Sequence, residues 1–234
     1  MLRPSSVIGR MSETITVDIW SDIACPWCFI GKRRMETGVG LFLAQSDGAV
    51  KVETVYHSFE LSPDTPGDFV GSEEDFLAQH KGLDPANVRI MLDQVTSIAA
   101  SVGLDYNFDT VRHTNTVRAH ELIHFAREQG RQLDMVESLF RAYFVEGKNL
   151  GSVEELADRA QSIGLNRADA VAALESERYL ESVREDQSQA ATLGINGVPF
   201  YVIDSRYGVS GAQDPTVFAS ALEQVLAERT GASK

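Results

Sequence analysis

Residues 17–31 read VDIWSDIACPWCFIG, and this stretch constrains the chain more than any other. It holds both cysteines of the sequence, Cys25 and Cys28, with Pro26 and Trp27 between them. Upstream, residues 14–20 (TITVDIW) alternate β-branched and polar side chains, the pattern of a strand. Downstream, FIGKRRMETGVGLFLAQ reads as a helix. Pro26 suits its first turn, where a missing N–H costs nothing. Residues 50–57 (VKVETVYH) alternate again. The chain therefore opens as strand, Cys-Pro-Trp-Cys, helix, strand.

From about residue 64 the pattern turns helical for more than a hundred residues. SEEDFLAQHKG predicts a short helix. DPANVRIMLDQVTSIAASVG predicts a longer one, capped by Asp84, started by Pro85 and stopped at Gly103. Residues 115–129 and 132–146 each set apolar side chains on one face. Ser152 followed by Glu155 predicts a capping box and a helix ending at Gly164, and residues 167–193 continue as helix. Strand chemistry returns in GINGVPFYVIDSRYGVSGAQ, read as a hairpin of PFYVID and YGVSG joined by Ser205-Arg206. DPTVFASALEQVLAERT closes the chain as an amphipathic helix. The expected domains are a discontinuous α/β unit of 14–64 plus 190–230 and an all-α insertion at 65–189. A disordered lead at 1–13 and a tail at 231–234 flank them.

A net charge of −13 argues against nucleic acid, because phosphate binding needs clustered Lys and Arg. No apolar run approaches the roughly 18–20 residues that span a bilayer, so no membrane association is expected. MLRPSSVIGR lacks the apolar segment of a secretory signal. The expected compartment is the cytoplasm, where a cysteine pair is catalytic or metal-binding rather than a structural disulfide.

The pair could be a redox couple, half of a metal site, or two small packed residues. Thiol–disulfide exchange needs a thiolate and a second thiol able to close on it. At a helix start Cys25 meets the positive end of the dipole and unpaired backbone N–H groups, which stabilise its anion. Cys28 lies one turn on, placed to resolve a mixed disulfide. A structural zinc site needs about four ligands, commonly from two such pairs, and no further cysteine exists, so no metal is expected. The strand-to-helix setting favours redox chemistry. Farther on, Gly197-Val198-Pro199-Phe200 enters a strand with a proline, which loses a ladder bond and is tolerated at a first or edge position. X-Pro bonds are also where cis isomers occur, and a cis Pro199 would leave the Val198 backbone free to pair with an extended substrate.

CPWC after VDIWSDIA, SFELSPD at 58–64, NTVRAHELIHFAREQG at 115–130, LFRAYFVEGKNLGSVEELADRA at 139–160 and GINGVPFYVIDSRYGVSGAQ at 194–213 together resemble the FrnE-like branch of the DsbA family of thiol–disulfide oxidoreductases. The resemblance covers about residues 15–230. It implies a thioredoxin-like fold with a large all-α insertion domain and a cis-proline loop facing the cysteines. It implies Cys25 as attacking and Cys28 as resolving thiol, with Val198 and Pro199 touching substrate. It implies a thiol–disulfide oxidoreductase exchanging disulfides with protein, peptide or small thiols. No bound cofactor is expected; glutathione or a thioredoxin-type reductant would return electrons. Hydroxychromene carboxylate isomerases and kappa-class glutathione transferases look similar and bind glutathione between their domains. They often lack the cysteine pair, so two cysteines here favour redox exchange. A peptide-binding or chaperone-like module without turnover is the third expectation. The acidic surface and amphipathic last helix fit a monomer or a homodimer.

HELIH at 120–124 matches the zinc-protease pattern letter for letter, with His120 and His124 as ligands and Glu121 as base. No histidine follows His124, so a third ligand would have to be acidic, such as Glu137 or Glu146. The alternative places His120 near the apolar face of Ala119, Leu122 and Ile123, lining a substrate groove over the cysteines or satisfied in the core. His57 and Phe59 are expected in the core. Trp27 is expected exposed above the site, where with Pro26 it would hold apolar substrate surface. Lys32, Arg33 and Arg34 are expected on a solvated helix face.

Overall fold

Burial on alternate positions shapes the first strand, β1 (Glu13–Ser21): Ile15, Val17 and Ile19 are buried while Thr14, Thr16 and Asp18 are half-buried. The structure is a computed structural model and describes residues 13–46, 50–67, 69 and 71–231. The expected lead at 1–13 lies outside the described residues except for Glu13, and the expected tail at 231–234 except for Gly231.

After β1 the chain enters α1 (Pro26–Gln45) and returns as β2 (Val50–Ser58), parallel to β1 with Ile19 opposite Tyr56. Far along the chain, β5 (Phe200–Ile203) pairs antiparallel with β1, and β6 (Tyr207–Ser210) antiparallel with β5. The sheet order is β2-β1-β5-β6. Asp204 and Ser205 turn the hairpin with φ of 55° and 54°, and Arg206 N–H closes it on Ile203 O at 3.0 Å. Both central residues are left-handed, which matches the twist of the flanking strands. The last helix, α9 (Pro215–Arg229), begins where the Asp214 carboxylate accepts from Thr216 N–H at 2.9 Å, and it packs on α1. The α/β class and the βαβ…ββα frame are those expected.

Between β2 and β5 come β3 (Gly71–Ser72), α2 (Glu73–Lys81), α3 (Pro85–Ala100), β4 (Arg112–His113), α4 (Val117–Glu128), α5 (Gln132–Phe144), α6 (Val153–Ser162), α7 (Arg167–Glu175) and α8 (Leu180–Thr192). Three details differ from expectation. The helical block is not purely α: β3 and β4 form a two-residue antiparallel ladder, Gly71 opposite His113. The helix expected over 167–193 is two, broken at Glu177, which takes φ 49° without a glycine or proline to announce it. Tertiary contacts impose the break, since α7 packs on α4 and α6 whereas α8 packs on α4 and β2. The capping box is half made: Ser152 Oγ accepts from Glu155 N–H at 3.4 Å, but Ser152 N–H donates to Asn149 O and the Glu155 carboxylate faces Lys148.

One apolar core runs from the sheet into the helices. Phe29 of α1 stacks on Phe140 of α5 at 4.9 Å between ring centroids, and Tyr106 OH donates to Pro26 O at 2.7 Å. These contacts hold the helical block over the start of α1. A smaller cluster of Trp20, Ala190 and Ile195 packs separately, joined by Phe59 and Phe200. There Trp20 Nε1–H donates to Asp186 O of α8 at 3.0 Å.

Candidate active site

The site is built where β1 ends. Pro26 starts α1, so Cys25 becomes its N-cap residue, with extended backbone at φ −88° and ψ 112°. Cys25 N–H donates to Asp22 O at 3.1 Å, and Cys28 N–H donates to Cys25 O at 3.0 Å. No acidic side chain occupies the first turn of α1, so the positive end of the helix is left for the Cys25 sulfur. Both cysteines are free thiols and both are buried, Cys25 at 4% exposure and Cys28 at 2%.

Cys25 Sγ lies 3.7 Å from Val198 O, a donor distance for S–H, and the Val198–Pro199 bond is cis. Gly31 lets this loop approach α1. A Cβ there would stand against Tyr201 Oη and 3.0 Å from Pro199 Cγ. Cys28 faces inward. Burial, then the hydrogen bond and charge of Cys25, push its thiol well above the usual range, against weaker opposition from the Ser21 hydroxyl and the Asp22 backbone. A buried apolar setting disfavours the thiolate, so Cys28 is held as the protonated partner.

Asp22 is 1% exposed and sits just before the pair. Burial works to raise its carboxyl, but His120 and the backbone N–H groups of Leu61 (2.7 Å) and Ala24 (3.2 Å) outweigh it and hold the carboxyl below the usual range. His120 Nε2 is 3.4 Å from Asp22 Oδ1, outside hydrogen-bond geometry.

Beside Cys25 opens a cavity of about 640 Å³. Asp22, Ala24, Cys25, Pro26 and Trp27 line it, and Leu61, Phe76, Leu77, Met91, Leu92, Val95, Ile98 and Phe108 give it an apolar wall. Glu73 and His113 line it too, paired to each other at 3.0 Å through His113 Nδ1.

The structure thus brings Cys25, Cys28, Pro26, Trp27, Val198 and Pro199 to one place. Trp27 is 39% exposed at the cavity mouth. Val198 O reaches Cys25, but neither Val198 nor Pro199 is among the residues lining the cavity. His120, 1% exposed, does not line it either: it stands behind the site, against Asp22. The two histidines of HELIH answer to carboxylates on different elements, since His124 Nε2 meets Asp186 Oδ2 of α8 at 3.1 Å. Among the described residues no group of three His, Cys, Asp or Glu is arranged to hold a metal.

His57 stacks on Trp20 and is bonded on both ring nitrogens at 2.8 Å, by Asp186 through Nδ1 and by Asp18 through Nε2. The basic run differs from expectation. Lys32 is 6% exposed and pairs with Glu137 of α5 at 2.7 Å, which Arg33 also engages. Lys32 and Arg33 thus staple α1 to α5, and Arg34 donates to Ala212 O at 2.6 Å, so the run is not a solvated face. Sequence reasoning passed over Asp22, although an acid just past the apolar end of a strand, beside Cys-x-x-Cys, is a visible signal. It also missed the cavity wall, for which α2 and α3 offered only ordinary amphipathic spacing.

Residues 16–223 match the DSBA-like thioredoxin domain family. A probable DsbA oxidoreductase from Streptomyces coelicolor is 37% identical, with a TM-score of 0.84 over 92% of this chain and 91% of that one. The cytosolic disulfide reductase DsbM of Pseudomonas aeruginosa, also solved with GSH, is similar in fold at 18% identity. Its TM-score is 0.62 over 90% of this chain and 98% of its own. A 2-hydroxychromene-2-carboxylate isomerase shares the fold at 17% identity, with a TM-score of 0.67 over 94% of this chain and all of that one. Among the described residues no helix is long and apolar enough to cross a membrane.

Proposed function

We propose, from the premise that this chain belongs to the family of DSBA-like thioredoxin domains, that it exchanges disulfides through Cys25 and Cys28. The observation that carries the reading is the asymmetry of the pair. Cys25 is the N-cap residue of α1 with its sulfur beside the Val198 carbonyl, and Cys28 is buried behind it as a thiol. The Cys25 thiolate attacks one sulfur of a substrate disulfide, and the other sulfur leaves as a thiolate that takes a proton. Cys28 then loses its proton and attacks Cys25, closing the intramolecular disulfide and releasing the second substrate sulfur as a thiol. A thiol reductant, glutathione or a thioredoxin-type dithiol, reopens the pair. Run backwards, the same steps oxidise a substrate dithiol.

The fold alone does not choose between redox exchange and isomerase chemistry, because the isomerase shares it. The dithiol at the helix start is what favours exchange. The FrnE-like branch fits the motifs that flank it, and a cytosolic reductase among the structural neighbours supports a cytoplasmic setting. Protein, peptide and small-molecule thiols are all substrates this chemistry admits, to a monomer or a homodimer alike.

Paired serine variants test the reading. Cys25→Ser should abolish reduction of insulin disulfides, whereas Cys28→Ser should accumulate mixed disulfides on Cys25. Full insulin reduction by Cys25→Ser would overturn the mechanism, whereas no insulin reduction by the unsubstituted protein would leave a non-catalytic peptide-binding module in its place.

A further inference from the structure

Cys25 has two sides. Toward β5 its sulfur meets Val198 O, where an extended peptide would pair. Toward the helical block it borders the cavity, whose lining includes neither Val198 nor Pro199. A molecule seated in the cavity therefore reaches the sulfur without strand pairing. At about 640 Å³ the cavity falls in the size range of small-molecule sites.

Its charge is as informative as its size. Among the described residues that line it there is no Lys and no Arg. The charged side chains there are carboxylates, Asp22 and Glu73, and the imidazole present, His113, already faces Glu73. An anion placed in this cavity would leave water for an apolar wall with no compensating cation. Oxidised glutathione, with several carboxylates, is poorly matched to it. An uncharged ring packed against Met91, Val95, Ile98 and Phe108 is well matched.

We propose that the cavity selects uncharged, apolar low-molecular-weight disulfides and presents their sulfur to Cys25. This rests on the thiol-exchange reading and names a substrate class for the same site. Anionic disulfides, glutathione disulfide included, then react from open solvent near Trp27 without occupying the cavity.

The test measures rates of oxidation of the reduced protein by three disulfides under identical conditions: neutral aromatic 4,4′-dithiodipyridine, neutral polar 2-hydroxyethyl disulfide and dianionic 5,5′-dithiobis(2-nitrobenzoate). Each rate is divided by that of a free cysteine derivative with the same disulfide, which removes intrinsic leaving-group differences. The proposal expects the normalised rate with dithiodipyridine to saturate and to exceed both others by about tenfold or more, the scale of apolar-pocket discrimination. The measurement is repeated at high salt, because the net charge of −13 repels anions at long range while a cavity effect survives screening. Gln94→Arg, at an exposed lining position on α3, should raise the dianion relative to dithiodipyridine. Met91→Glu should lower dithiodipyridine relative to hydroxyethyl disulfide. Equal normalised rates, or ratios unmoved by both substitutions, overturn the cavity proposal while leaving thiol exchange intact. Failure of all three disulfides to close the Cys25–Cys28 bond removes the exchange reading and this proposal with it.

Discussion

Cys25 Sγ stands 3.7 Å from the carbonyl oxygen of Val198, a residue 173 positions later in the chain. The sheet makes this meeting possible, because β5 pairs with β1 so that Trp20 lies opposite Phe200. The end of one strand and the start of the other then lie side by side, bringing the Cys25 turn to the Pro199 loop. The long helical block between them is packed over the start of α1 by Phe29, Phe140 and Tyr106.

Gly31 is where that meeting is tightest. Gly31→Ala puts a methyl against Tyr201 Oη and 3.0 Å from Pro199 Cγ, so the Tyr201 ring, α1 or the proline loop must shift. The expected cost is about 1–3 kcal/mol of stability. It is read as a lower denaturation midpoint, with a slower reaction at Cys25 in the protein that remains folded.

The inward position of Cys28 predicts ordered alkylation. Burial first, then Cys25, keeps its thiol well above the usual range, so at neutral pH iodoacetamide should label Cys25 before Cys28. Peptide mapping after partial labelling reads the order. Equal labelling of the two would contradict the asymmetry.

His57 predicts a pH window for stability. Burial alone would lower its pKa, but Asp18 and Asp186 outweigh it and raise it from 6.5 to about 9. That stabilisation is full below pH 6.5 and lost as pH rises through 9. Asp186 has the opposite sign. Burial would raise it, yet His124, His57 and the Ser58 N–H hold it below its usual 3.8, so its contribution is present above 3.8 and fades on acidification. The unfolding free energy should therefore be highest between about pH 4 and 6.5 and fall toward pH 10 by on the order of 3 kcal/mol. His57→Gln should flatten the alkaline fall.

Tyr106 OH donates to Pro26 O and so ties the Cys-Pro-Trp-Cys turn to the helical block. Tyr106→Phe removes one hydrogen bond of about 1 kcal/mol and leaves the ring stacked on Phe144 at 4.6 Å. The expected result is a modest loss of stability, with a change in Trp27 fluorescence because that residue follows the freed carbonyl.

The frame of the molecule was legible because its signals are local. Alternation marked β1 and β2, Pro26 and the cysteines marked the start of α1, and Asp84 marked a helix start where its carboxylate does cap backbone N–H groups. What escaped notice is set by contacts between distant segments. The break at Glu177 follows from two helices packing on different partners, and the β3–β4 ladder joins short runs 40 residues apart. Lys32 looked like an ordinary surface lysine until α5 brought Glu137 against it. In the same way, the HELIH pattern fixed neither partner of its histidines, because Asp22 and Asp186 come from other elements. The lining of the cavity could not be read, since it is gathered from the Cys25 turn, α2, α3 and the segments around Leu61, Phe108 and His113.

The most direct measurement is a redox titration of the cysteine pair. The purified protein is equilibrated in glutathione buffers of graded ratio and its free thiols are counted. Exchange through Cys25 and Cys28 predicts that both thiols disappear together in one two-electron transition. Its midpoint should fall between about −270 mV, the poise of thioredoxin, and about −120 mV, that of DsbA. Two thiols that remain free across the whole range would contradict it.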